Sequence, residues 1–175
     1  MLVILLQLEL RCLDFGTQRG GVDAHQTIQS GFGRQAADSV IDAAILSVST
    51  DTGVTLAGAN LIGSFGTLNS STGDITVNNL YSGGIQLTGA VSAPFGNVIL
   101  NSAAGGISQT ALAPISAAGL SLQGTGDVVL NLAANNVSTL AADLTGALSY
   151  QQSSALSIGG SLPTIGGSAS GITTR

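Results

Sequence analysis

The chain has 175 residues, 7% of them charged and 44% hydrophobic, with 25 glycines and a formal net charge of -5. It carries four arginines and no lysine, so there is no basic patch to neutralise phosphates, which disfavours nucleic-acid binding. Aromatics are 3% with no tryptophan, too few for the deep core of a conventional globular enzyme, while the hydrophobic content argues against intrinsic disorder.

The opening MLVILLQLELRC is apolar but has no basic residue ahead of it. Glu9 interrupts it and DFGTQRGG offers no small-x-small cleavage site, so it reads as a short buried or spurious segment rather than a signal peptide. No stretch reaches the ~18–20 uninterrupted apolar residues of a spanning helix. Cys12 is the single cysteine, so no intramolecular disulfide and no Cys/His zinc cluster can form. Glu9, Arg11, Asp14, Arg19, Asp23, His25, Arg34, Asp38 and Asp42 all fall before position 43. Beyond it only Asp51, Asp74, Asp127, Asp143 and Arg175 are charged. That shift predicts a non-repeat segment over 1–42, disordered or loosely attached, and a repeat region over 43–175.

Within the repeat region, short strand-like runs follow turn signals: TGVTL at 52–56, GDITV at 73–77, GNVIL at 96–100 and GDVVL at 126–130. GIQLTG, GISQTA, GLSLQG and ALSIGG lie between or after them. A longer echo aligns VTLAGANLIGSF from Val54 with VLNLAANNVSTL from Val129. Each run alternates with period two: Val54 and Leu56 inward with Thr55 out, Ile75 and Val77 inward with Thr76 out, Leu120 and Leu122 inward with Ser121 out. Ile99 and Val129 break the pattern at outward positions; cover by a neighbouring loop is preferred over a lateral contact with a partner.

Small apolar residues suit a narrow interior built from stacked coils, so the predicted architecture is all-β: a right-handed parallel β-helix (β-solenoid) from 43 to about 165. At about 20–25 residues per coil it would have about six coils and a length of roughly 30 Å. Asn60, Asn78, Asn79, Asn97, Asn101, Asn131, Asn135 and Asn136 would sit near the turns, either stacked as amide ladders or simply supplying left-handed turn geometry. The chain stops on SGITTR in mid-pattern, which predicts an excerpt of a longer stack whose exposed coil edges could associate end to end.

The succession NLIGSFGTLNSSTGDITVNN, then GNVILNSAAGGISQTALAPISAAGLSLQGTGDVVLNLAANNVSTLAADLTGALSYQQSSALSIGG, resembles the repeat region of filamentous-haemagglutinin-type bacterial adhesins. Those are two-partner secretion exoproteins or giant autotransporters, and the resemblance covers about 45–175. It implies a right-handed β-helical shaft, an extracellular or outer-surface location and an outer-membrane translocator. It also implies contact of the full-length protein with glycans or proteins on host or neighbouring cells. The family's N-terminal secretion domain has no counterpart in 1–42.

Catalytic readings are weak. Cys12, His25 and Asp14 or Asp23 would make a nucleophilic triad only by coincidence, since they lie in the unpatterned segment. Asp74 and Asp127 occupy equivalent GD turns, but several coils separate them, beyond the ~5–10 Å that paired glycosidase carboxylates need. GGIQLTG and GGSASG read as turns, since no lysine or helix follows to form a phosphate cradle. The outward threonines lack the Thr-x-Thr regularity of an ice-binding face. The sequence therefore predicts a non-enzymatic shaft segment with no catalytic, cofactor or metal residues. The alternatives are a carbohydrate-binding β-helix module, for which Tyr81 and Tyr150 are the aromatic candidates, and a non-functional truncated fragment.

Overall fold

Period-two alternation of β-branched and leucine residues, broken every few residues by glycine, asparagine or aspartate, yields short strands rather than helices. The computed structural model describes residues 13–15, 18–19, 25–30, 33–35 and 39–175, and among them there is no helix. In chain order the strands are β1 (Leu13–Phe15), β2 (Gln18–Arg19), β3 (His25–Ser30), β4 (Gly33–Gln35), β5 (Ile41–Thr50) and β6 (Val54–Ser70). Then come β7 (Ile75–Asn79), β8 (Ile85–Leu87), β9 (Val91–Ser102), β10 (Ile107–Gln109), β11 (Ile115–Gly124) and β12 (Val128–Asn131). The last are β13 (Asn136–Leu144), β14 (Leu148–Gln151), β15 (Ser157–Ile158), β16 (Ser161–Thr164), β17 (Gly167–Ser170) and β18 (Ile172–Thr174).

All but β16 and β17 join one parallel sheet that winds on itself as a β-solenoid. One rung column runs Leu13, Gly33, Val54, Ile75, Val98, Leu120, Leu140, Ile158, a repeat of 18–23 residues. From Gly33 to Ile158 it makes six turns. Three faces form each turn. The first passes through 54–56, β7, 98–102, 120–124 and 140–144. A second passes through 61–65, β8, β10, β12 and β14. The third passes through 68–69, 91–92, 115–116 and residue 136.

The charge seam near position 42 falls inside β5, and the sheet runs through it. β2 and β3 pair in parallel with β5, and β1 with β4. The opening apolar run lies outside the described residues.

Inward side chains from the three faces meet along the axis: Val54, Ile75, Val98 and Leu120 from the first, Ile62, Ile85, Ile107 and Val128 from the second, and Leu68, Val91, Ile115 and Val137 from the third. Each such side chain contributes roughly 1.5–3 kcal/mol when fully removed from water. Among the residues whose side chains are described, Phe65 is the one aromatic fully inside. The interior is narrow because successive turns are one strand spacing apart and three short faces enclose it.

Turns close tightly where glycine stacks on glycine. A Cβ on Gly84 would run into the carbonyl oxygen of Gly106, and one on Gly106 into the carbonyl oxygen of Asp127. Gly84 also holds a φ of 79°, a left-handed conformation that glycine adopts at no steric cost.

Three of the four GD-type runs share the first face in register, since Val54 pairs with Ile75 and Ile75 with Val98. GDVVL begins the second face instead, and Leu120 of GLSLQG is the true next rung. Spacing alone did not distinguish a full turn from a turn plus one face. The solenoid also continues past 165: β18 pairs with β13 through Ala142, Asp143 and Leu144.

Candidate functional site

Where a coil bends from one face to the next, an N–H at the corner needs an acceptor one turn along the stack. At many corners a backbone carbonyl supplies it, as Asp74 does for Val54 and Asp127 for Ile107. At four others among the described residues an amide side chain does. Asn60 Oδ1 accepts from Ile41 N at 2.9 Å, Asn79 Oδ1 from Ile62 N at 2.9 Å, Asn135 Oδ1 from Ile115 N at 3.0 Å and Gln152 Oε1 from Val137 N at 3.1 Å.

Two of these corners are near copies. Gln35 Nε2 donates to Ser39 O and Asn60 Oδ1, while Asn60 Nδ2 donates to Gln35 Oε1, Leu56 O and Asn78 O. Likewise Gln109 Nε2 donates to Ala113 O and Asn135 Oδ1, while Asn135 Nδ2 donates to Gln109 Oε1, Leu130 O and Gln151 O. The sequence echo that begins at Val54 and Val129 aligns these two asparagines. The first copy joins the first and second faces and the other the second and third, so the echo is rotated by one face.

The remaining asparagines divide. Asn101 Nδ2 donates to Asn78 Oδ1 at 2.8 Å and Asn78 Nδ2 to Gly58 O at 3.1 Å, forming an outward amide ladder. Asn131 and Asn136 accept from Ser149 and Ser154 one turn later. Gln35, Gln109 and Gln152 were missed as corner residues; the signal was a glutamine 25 or 26 positions ahead of a buried asparagine.

Asp74 and Asp127 stand on different faces, yet each does the same thing. Asp74 Oδ1 accepts from Asn97 N at 2.7 Å and Asp127 Oδ1 from Ala147 N at 2.9 Å, in each case one turn along. Both are therefore corner acceptors. Asp143 Oδ1 lies 3.2 Å from Arg175 Nη2, within ion-pairing distance but without hydrogen-bond alignment. Among the described residues no group of three or more His, Cys, Asp or Glu could hold a metal, and no helix is long and apolar enough to cross a membrane. The Cys12, Asp14, Asp23 and His25 arrangement lies outside the residues whose side chains are described.

The two tyrosines do not line one strip. Tyr81 is exposed beside Gly83 at a corner, whereas Tyr150 pairs with Leu130 at an inward position of the last turn and packs on the core. Its hydroxyl donates to Gln152 Oε1 at 2.7 Å, and burial pushes its pKa up to about 12.

One outward column is unlike the rest. Thr55, Thr76, Ile99, Ser121 and Ala141 stack in register on the first face, but Ile99, Ser121 and Ala141 are 3%, 0% and 0% exposed. Their cover is the antiparallel hairpin β16–β17. β16 lies against β9 and β11, and β17 against β13. Leu162, 9% exposed, reaches Gly119, where a Cβ would stand 2.7 Å from its Cδ2. Ile165 N donates to Gln123 Oε1 at 2.8 Å. Ser121 Oγ is sealed beneath without a hydrogen-bond partner. Ile99 is thus covered by a neighbouring loop, while Val129 on the second face stays open at 46%.

Comparison with protein-family models, with curated proteins and with solved structures found no match.

Proposed function

We propose that the chain is a shaft segment of a surface-exposed or secreted bacterial adhesin, contributing length and rigidity rather than catalysis. The observation that supports this reading is the self-sufficiency of each turn. Corner N–H groups are met by a carbonyl or amide of the next turn or a carboxylate of the preceding one, so a uniform rod extends by repetition alone. The outward faces are sparsely charged and their side chains bond along the stack from turn to turn, as in Asn101 to Asn78, Ser149 to Asn131 and Thr72 to Asp51 O. The adhesin setting rests on the sequence resemblance.

The test is antibody labelling of the source cells with serum raised against the purified chain. A shaft predicts labelling of intact cells, removed by surface proteolysis. Signal seen only after permeabilisation contradicts it. Glycan-array binding at micromolar chain concentration would favour the carbohydrate-binding alternative.

A further inference from the structure

β15 and β18 are two halves of one rung. Ser157 and Ile158 pair with Thr139 and Leu140, and Ile172, Thr173 and Thr174 with Ala142, Asp143 and Leu144. The gap between them falls opposite Ala141, and residues 159–171 leave and re-enter the wall there as the β16–β17 hairpin. The exits are glycines at positive φ: Gly159 at 116°, Gly160 at 72° and Gly171 at 75°. Around Gly159 and Gly171 no heavy atom lies within 4 Å of where a Cβ would be, and each is held to the wall by one backbone bond, Gly159 N to Leu140 O at 3.3 Å and Ala142 N to Gly171 O at 2.8 Å. Leu162 is the hairpin's only buried side chain.

From this geometry we infer that the hairpin is an exchangeable strap: it can lie on the Ile99, Ser121 and Ala141 column of a second copy, and so join two solenoids side by side. The occupant is fixed by the contacts already made within one chain. Leu162 over Gly119 and the Ile165 N–H on Gln123 Oε1 are the same contacts whether the hairpin comes from its own chain or from a neighbour. Reciprocal exchange therefore keeps these contacts and resets the backbone at the glycine hinges with at most their two wall bonds, a low-cost route to a dimer. Without the strap the column exposes Ile99, Ser121 and Ala141, a small, mostly apolar strip continuing from Thr55 and Thr76, which favours covering by an identical partner strap. The inference stands on the hairpin alone and holds whether or not the chain serves as a shaft.

The experiment refolds a one-to-one mixture of carbon-13-leucine-labelled and unlabelled chains at high concentration, then separates species by size. The expected result is a dimer fraction in which an isotope-filtered spectrum connects labelled Leu162 methyls to the Gly119 Hα of the unlabelled chain. Leu162→Asp, and a variant with residues 159–171 replaced by one serine, should each lower the dimer fraction at least tenfold while far-UV spectra keep their β signature. Monomer alone, or a dimer whose Leu162 to Gly119 contacts stay within one chain, overturns the inference.

Discussion

Asn60 Oδ1 accepts the backbone N–H of Ile41 at 2.9 Å, one turn earlier in the stack. The same carboxamide gives its two protons to Gln35, Leu56 and Asn78 oxygens, so one buried side chain satisfies a corner that the sheet itself cannot. Truncating it leaves the Ile41 N–H and the Gln35 amide without these partners in a dry site.

Asn60→Ala and Asn135→Ala are each expected to destabilise the chain by about 2–4 kcal/mol, since each strands more than one buried group at roughly 1–3 kcal/mol apiece. Urea denaturation measures this. The two corners share no residues, so the double variant should lose close to the sum. Asn60→Asp should rescue little, because it keeps the acceptor but faces a carboxylate with the carbonyls of Leu56 and Asn78.

Gly106→Ala is expected to cost more than 2 kcal/mol, because the added methyl enters the Asp127 carbonyl of the next turn and backbone must move. Gly167→Ala is the matched control. Its nearest neighbour is Thr164 Oγ1 at 3.7 Å, an ordinary contact, and its urea midpoint should move little.

Tyr150 gives a pH signature. Its folded pKa, raised by burial to about 12, exceeds the ordinary value of 10.0, so the neutral phenol is favoured by folding. The stability it contributes is complete below pH 10 and is lost as pH rises through 12. In a Tyr81→Phe chain, phenolate absorbance should rise with a midpoint near 12, and Tyr150→Phe should remove that part of the alkaline destabilisation. A midpoint at 10 would contradict the packing of Tyr150 on the core.

The hairpin should open locally rather than with the whole fold. Leu162→Ala removes its buried anchor, and Gln123→Ala removes the acceptor of the Ile165 N–H. Either change should speed hydrogen exchange at Ile165 by tenfold or more, while amides of β7 and of residues 98–102 keep parent protection. Equal acceleration across all strands would sink this reading.

Period two was legible in Val54, Leu56, Ile75 and Val77 because a narrow interior demands an apolar residue at every inward position. The face on which a run lies was not, since turn residues look alike at all three corners, and GDVVL was misplaced for that reason. Ile99 announced an anomaly through its hydrophobicity, but its cover came from residues more than sixty positions later, a relationship no local pattern carries. GGSASG reads as a turn at the end of the stack. Only the pairing of Ile158 with Leu140 and Ile172 with Ala142 shows that it interrupts a strand. The amide corners were half visible: asparagines near turns stood out, while their glutamine partners resembled ordinary surface residues.

The parallel stack is tested most directly by backbone cross-strand nuclear Overhauser contacts along the first face. The account predicts contacts linking Thr55 with Thr76, Thr76 with Ile99 and Ile99 with Ser121, in parallel register. Antiparallel contacts between runs adjacent in sequence, such as 54–56 against 61–65, would contradict it.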